Sequence, residues 1–546
     1  ADDAIDSEHY AAGSIDTAHI ADDQITLAKM AGLARGKIIY GDASGNPAAL
    51  ASGSTGQVLK MTDGNDFAWA AGASTTQDFT ASGTIATGDH VALNSNGTAV
   101  SPATLPVDFE SAAILYNAIA YDTNLNKVVI AYIDDDNSNY GTAVVGTVSG
   151  GAITFGTPVV FNSGTVSYMS CTFDSGANKV VISYRDDSDS YQGTAIVGTV
   201  SGTSISFGTE QHFEAGWAYY ITSCFDSNSN KTVIAWKDND TSYGNAAVAT
   251  ISGTDISFGT VVVFESASTN MGDMESMAFD SDTNQVVIAY SDVGNSSHGT
   301  AVVGEIDGTD ISFGTPVVFE AASTNSTGVA YDTNANKIVI SYRDAGDSSY
   351  GKAIVGTVSG DSISFGTASA AYDTHSSSYF HQIAFDPSVN KLMVVWEDYA
   401  STPSINFGTY KLGTISGTDI TFGDKVVINY AVTSYLSPVY DPDSGLMVIA
   451  IQDGGDSRHG KCVLVDSSVT SNFLSWIGIA GTGVSDGATV KVNLLGTINE
   501  NQSSLTIGSK YYMQNDGSVT TTSVTNRQVG MATATTKLFV TAGSIS

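Results

Sequence analysis

Aromatic side chains stand among carboxylates, amides and hydroxyls at three places in this sequence: Trp217, Tyr219 and Tyr220; Tyr372, His375, Tyr379 and Phe380; and Tyr430 with Tyr435. Tyr399 follows an Asp of its own, Asp398. A ring face covers the apolar C–H groups of a sugar while Asp, Asn and Ser take its hydroxyls, so the chemistry on offer is recognition of a glycan. Core packing is the competing use for each of these rings. A second polar set, Asp134, Asp186, Asp238, Asp292, Asp344, Asp398 and Asp453, recurs at near-regular spacing. One asymmetric active site has no need of seven copies, and a short carboxylate that accepts backbone N–H groups at a turn fits them better. Asp134-Asp135-Asp136-Asn137 and Asp186-Asp187-Ser188-Asp189 offer oxygen ligands to Ca²⁺. They lack the ordered loop of about twelve residues with its bidentate Glu, so no cofactor is expected.

These residues sit in a repeat. An aromatic residue followed by Asp, an Asn- or Gly-containing turn and an apolar strand begins at Tyr121, Phe173, Phe225, Phe279, Tyr331, Phe385 and Tyr440, in steps of 52 to 55 residues. Repeats of roughly 40 to 50 residues holding about four short strands each mark a β-propeller, here of seven blades. In the second repeat, residues 168–173, 179–186 (KVVISYRD), 193–200 (GTAIVGTV) and 204–207 read as four successive strands. A second strand apolar on both faces suits a blade sandwiched between two others. In such a blade the loop between the second and third strands and the loop to the next blade open on one face. The aromatic clusters fall in those loops, with Tyr399 in a lengthened loop of the first kind.

The seventh repeat stops after residues 461–465, without the closing I-S-F-G-T-P-V-V-F-E segment of residues 311–320. A degenerate copy precedes the first repeat: Gly97-Thr98-Ala99-Val100-Ser101 and Pro106-Val107-Asp108-Phe109-Glu110 match residues 308–312 and 316–320. Residues 97–110 are therefore expected to supply the outer strand of the last blade, which would remove the sheet edges of an open ring.

The chain has 546 residues and a formal charge of −35, with only 21 Lys and Arg. That balance opposes binding to nucleic acid and to anionic membranes, both of which need clustered cations. No apolar run is long enough to span a bilayer, and no signal-peptide pattern opens the sequence, which begins at Ala1. Cys171, Cys224 and Cys462 are too few and too scattered for a disulfide or zinc framework and are expected as free thiols. A glycan-cleaving propeller would need an Arg cluster or two carboxylates across one cleft. The propeller has only Arg185, Arg343 and Arg458, and the S-x-D-x-G-x-T-W box of sialidase propellers is absent. Arg185 and Arg343 share one position in two blades and are expected to form blade-to-blade salt bridges. The His residues show no ligand spacing, His375 and His381 being the closest pair. No enzymatic activity is expected.

Residues 1–30 carry a shorter repeat in which Ile5, Ile15 and Ile25 stay in phase every ten residues. Such a strip buries its apolar side chains against copies of itself in an oligomeric stalk, the alternative being a short amphipathic helix. Residues 1–70, IDSEHYAAGSIDTAHIADDQITLAKMAGLARGKIIYGDASGNPAAL followed by STGQVLKMTDGNDFAWA, resemble the N-terminal stalk segments of bacteriophage tail fibres. Residues 473–540, FLSWIGIAGTGVSDGATVKVNLLGTINENQSSLTIGSKYYMQNDGSVTTT with VGMATATTKLFV, resemble a small β domain of phage tail-fibre and structural proteins. The resemblance implies an all-β virion protein of the tail or fibre: a homotrimer that meets other tail proteins and, outside the cell, a host surface receptor. Residues 1–77 are then the stalk, 78–96 hold a strand (88–94) that pairs with the C-terminal domain, 97–470 form an inserted propeller, and 471–546 form the C-terminal β domain. A receptor-binding adhesin is the favoured role, because aromatic variation concentrates on one face. A purely structural connector or filament subunit obeys the same fold rules.

Overall fold

The computed structural model describes residues 106–468, save 273–274, 376–378, 402–403 and 430, together with short stretches between residues 38 and 100 and between 478 and 540. The chain divides into two units, residues 1–75 and 76–546. In the first, Ile38–Gly41 pairs with Pro47–Leu50 and Gln57–Met61 with Phe67–Ala71, both antiparallel. The ten-residue repeat with Ile5, Ile15 and Ile25 lies outside the described residues, as does Tyr430.

The second unit contains a β-propeller. The second repeat shows how the residues build a blade. Lys179–Asp186 and Gln192–Ser201, rich in β-branched residues, pair with each other. The inner strand is the second half of Val159–Asp174, which pairs with Lys179–Asp186. Its first half pairs instead with Tyr140–Ser149 of the preceding blade, so one long strand serves as the outer edge of one blade and the inner strand of the next. The outer edge thus has two pieces, the short strand Ser204–Phe207 and the start of Gln211–Asp226. Inner strands neighbour one another in repeat order, and Thr433–Asp441 touches Val107–Asp122, which closes the ring.

Closure is narrower than the sequence implies. Residues 107–113 pair with residues 459–462 and supply the outer edge of the last blade. Ala99–Val100, expected in the same role, pairs with His90–Leu93 instead. In the complete blades the short strand is tethered to the third strand by a two-residue turn with Gly at positive φ, as at Gly202 (φ 62°). A segment arriving from the far side of the sequence has no such tether. His90–Leu93 also pairs with Gly478–Ala480, and Thr76–Thr80 pairs with Thr489–Leu494, so strands from before and after the propeller share one sheet. A second sheet joins Ile498–Asn499, Lys537–Val540, Gln528–Ala534, Lys510–Met513 and Val519–Thr520.

The core is not single. Each of seven buried clusters joins side chains from two successive blades, and one of them links Val448, Ala450, Cys462 and Leu464 with Ile114, Ile130, Tyr132 and Val144 across the closure. The aromatic-Asp motif turns the chain between the first two strands. Asp122 Oδ1 accepts the N–H groups of Asn124 and Leu125, and Asp226, Asp280, Asp332 and Asp441 do the same two and three residues on. The turn ends in the left-handed region, where Asn126, Asn178, Asn230, Asn284, Asn336 and Asn390 stand, replaced by Gly445 in the last blade. Cys171 and Cys462 are buried and Cys224 is half-buried, all three as free thiols whose pKa burial raises.

Between blades an aromatic layer repeats. Phe109 lies 5.3 Å from the Tyr132 ring of the next blade and rests on Gly460, where a Cβ would stand 2.4 Å from the Phe109 ring. Phe161 on Gly141, Phe213 on Gly193, Phe264 on Gly244 and Phe319 on Gly299 repeat the arrangement. Gly460→Ala should therefore lower stability by about 1–3 kcal/mol through overpacking, seen as an earlier urea midpoint; an unchanged midpoint would refute the packing account.

Candidate functional site

Where the long strand passes from outer edge to inner strand, its register slips. Slips fall between Leu115 and Asn117, Ser167 and Ser170, Tyr219 and Thr222, Asn325 and Gly328, Tyr379 and Gln382, and Ser434 and Ser437. The residue inside each slip has positive φ: Tyr116 (36°), Tyr168 (46°), Tyr220 (52°), Ser326 (50°), Phe380 (53°) and Tyr435 (55°). For bulky side chains this is an uncommon conformation, held only by its surroundings, and such positions concentrate at functional sites.

Because the inner strands are neighbours, these rings meet. Phe380 lies 5.0 Å from Tyr435, Tyr435 4.5 Å from Tyr116, Tyr116 6.2 Å from Tyr168, and Tyr168 5.5 Å from Tyr220. Five half-buried aromatic rings from the sixth, seventh, first, second and third blades form a continuous arc at the end of the inner strands where the second-to-third turns also lie. The fifth blade puts Ser326 there and interrupts it.

The sequence-predicted residues distribute unevenly about this arc. Tyr219 extends it 5.0 Å from Tyr168, and Trp217, 41% exposed, stacks 4.5 Å from Tyr191. These residues were expected in loops, yet Trp217, Tyr219 and Tyr220 lie within one strand, Gln211–Asp226, and Tyr379 and Phe380 within Tyr379–Asp386. Tyr379 is 45% exposed. Tyr399 lies in strand Lys391–Ser401, paired with Asn406, because the expected loop is a strand extension. Tyr372 is buried among Trp396, Phe422 and His381 and offers no open face: it takes the place over Gly351 that Phe fills at other blades. Its position 53 residues after Phe319 carried that signal. Tyr116 and Tyr168 escaped the sequence reading, although each stands 52 residues before the next bulge aromatic.

Cations reach the arc from one second-strand position. Arg185 stacks between Tyr168 (4.7 Å) and Tyr219 (4.5 Å) of the next blade, with its Nε 2.5 Å from Asp187. The ion pair is thus local and the link between blades is cation–π, not the expected salt bridge. Arg343 lies over Tyr379 at 4.9 Å, and Lys237 bonds Asn270. At the same position of the sixth blade, Glu397 accepts a hydrogen bond from Asn406. It is 3% exposed, and burial pushes its carboxyl up to about 7.

Six of the seven repeated carboxylates cap turns. Asp134, Asp186, Asp238, Asp292, Asp344 and Asp453 accept N–H groups two or three residues on. Among the described residues Asp398 does not; Lys425 and His375 meet it instead.

Residues 443–538 match the family model of phage cement proteins. That stretch begins in the turn after Tyr440-Asp441, takes in the last two strands of the propeller and runs to the final strand pair, and it links the chain to bacteriophage structural proteins. No curated protein matches the sequence. Among solved structures, the β-propeller domain of Cps50 (Swd1) from Myceliophteria thermophila is similar at 7% identity over 66% of this chain and 99% of its own, with a TM-score of 0.43. A Lactobacillus plantarum protein gives 11% identity over 58% of this chain and 86% of its own, TM-score 0.41. Chaetomium thermophilum Sqt1, bound to the N-terminus of ribosomal protein L10, gives 12% over 65% and 88%, TM-score 0.40. The propeller assignment rests on the strand pairing above.

Glu397 carries a pH dependence. The folded state holds its proton more tightly than the unfolded chain, so stability from this group is greatest below about pH 4.5 and falls as pH rises towards 7. Glu397→Gln should flatten that decline in denaturant midpoints measured from pH 4 to 8; an unaltered slope would count against the burial argument.

Proposed function

We propose that this chain is a virion surface protein that attaches a bacteriophage to its host, with the propeller as the receptor-binding part and a cell-surface glycan as the receptor. One observation carries the reading: the arc Phe380, Tyr435, Tyr116, Tyr168 and Tyr220, flanked by the exposed Trp217 and Tyr379. Ring faces of this kind stack on sugars, and exposed carboxylates of the turns at the same end, such as Asp136 and Asp189, supply hydroxyl partners. The proposed role is binding without turnover. In this reading residues 1–77 assemble a homotrimeric stalk of a tail or fibre, joined to other virion proteins, and several heads give attachment by avidity.

The match of residues 443–538 to phage cement proteins favours a second reading, in which the chain is a structural part that holds other virion proteins together. Competition separates the two. Purified full-length protein should block adsorption of the parent phage to its host, and Trp217→Ala with Tyr379→Ala should raise the concentration for half-inhibition roughly tenfold or more, the loss of one or two stacking contacts. Failure of the wild-type protein to compete would sink the adhesin and favour the cement.

A further inference from the structure

The junction between the fifth and sixth blades departs from the commonest pattern in two ways that converge on one point. At four other junctions a Glu beside the packed Phe accepts a hydrogen bond from the next blade: Glu110 from Tyr132, Glu214 from Trp236, Glu265 from Tyr290 and Glu320 from Tyr342; beside Phe161 stands Asn162, which donates to Tyr184. Here the pair is Tyr372-Asp373, one methylene shorter. Trp396, the corresponding donor, has an indole Nε1 without a hydrogen-bond partner among the described residues, and Asp373 accepts the backbone N–H of His375 at 3.1 Å. The second departure is the hairpin that follows. Lys391–Ser401 pairs with Ser404–Ser416 out to Ser401 and Ser404, so Asp398 faces Phe407 inside a strand pair and has no turn of its own to cap.

Asp398 is 2% exposed. Its Oδ2 lies 2.5 Å from Lys425 Nζ, but among the described residues its Oδ1 accepts no hydrogen bond, although Nδ1 of His375 is only 3.0 Å away. The same Nδ1 is 3.4 Å from Asp373 Oδ1. All three atoms lie within 4.8 Å of one another. Close approach without hydrogen-bond direction is how ligands sit when they point at a common third atom. At metal–ligand distances of about 2.1 Å the edge of a tetrahedron is about 3.4 Å; one distance to Nδ1 matches it and the other, 3.0 Å, is slightly shorter. We infer that Asp373, His375 and Asp398 form a site for a divalent transition-metal ion, with zinc as the fitting case.

One imidazole and two carboxylates suit zinc and its first-row neighbours. Calcium, which takes about six to eight oxygens, would find too few here. Lys425 offsets one of the two negative charges and orients Asp398 so that Oδ1 stays available, the part an outer partner plays at metal sites. A bound ion would fasten residues 373–375 to the long hairpin of the next blade, just ahead of Tyr379 and Phe380. The ligands come from residues 23 and 25 positions apart, a spacing no short motif describes.

The test uses the full chain after treatment with a chelator. Titration with Zn²⁺ should show one equivalent bound with an affinity that His375→Ala and Asp398→Asn each weaken by at least roughly 100-fold, as loss of a ligand requires. Co²⁺ at the same site should give the visible bands of a tetrahedral complex, absent in both variants. His459→Ala, in the more exposed group Asp108, Asp456 and His459, serves as the control and should leave that binding intact. His375 is two-fifths exposed, so its truncation spares the fold, and circular dichroism checks this. No zinc binding by the wild-type chain, or binding that His375→Ala leaves unchanged, would overturn the site.

Discussion

A bare backbone CH₂ beneath an aromatic ring is the constraint on which this ring of blades depends. Each third strand of the first five blades has, as its first or second residue, a Gly whose missing side chain admits an aromatic ring from its own outer edge: Phe over Gly141, Gly193, Gly244 and Gly299, and Tyr372 over Gly351. That ring packs against the Tyr or Trp of the next second strand, 4.8 to 5.4 Å away. The closing junction repeats the scheme with Gly460, Phe109 and Tyr132. The contact does two things at once: it holds the outer edge to its own blade and holds the blade to the next. Since every buried cluster among the described residues spans two blades, none of these blades shows a core of its own there, and the stability of each depends on its neighbours.

The same geometry fixes the aromatic arc. A strand that serves two blades must change direction between them, and the change is made by a bulge that forces one residue into the left-handed region. Bulges at equivalent places on adjacent inner strands bring their side chains within ring-stacking distance. Polar contacts between neighbouring inner strands lock them: Ser170 and Ser223 Oγ lie 2.8 Å apart and Asn117 Nδ2 donates to Tyr435 O beside the arc, and Ser276 Oγ donates to Thr327 O between the fourth and fifth blades. The rings are thus presented by a frame that the rest of the blade holds rigid.

Fold and site were legible to different depths. The strands of the second repeat, read as 179–186 and 204–207, are Lys179–Asp186 and Ser204–Phe207 in the structure, because a repeated motif reports the same physical solution several times over. Individual side chains were less readable. Tyr372 looked like a surface ring because its surroundings Ala-Ala-Tyr-Asp-Thr-His are polar and small, whereas register, which the sequence hides across a broken strand, puts it in the core. Tyr116 and Tyr168 were passed over because each lies inside a strand rather than a loop, and only the bulge brings their rings against those of the neighbouring inner strands. Arg185 invited a charge partner in the next blade, but Asp187 lies closer and the neighbour offers aromatic faces.

The clasp has a mechanical meaning. Residues 107–113 run antiparallel to residues 459–462, so the chain enters and leaves the propeller at the same end of one strand pair. Tension applied to those two ends would peel the pair open one hydrogen bond at a time, the weakest way to load a sheet. Yet the same two stretches of chain are joined again outside the ring, where His90–Leu93 meets Gly478–Ala480 and Thr76–Thr80 meets Thr489–Leu494. A pull arriving through the rest of the protein is borne by those outer pairs before it reaches the clasp, and the propeller hangs from them as an unloaded loop.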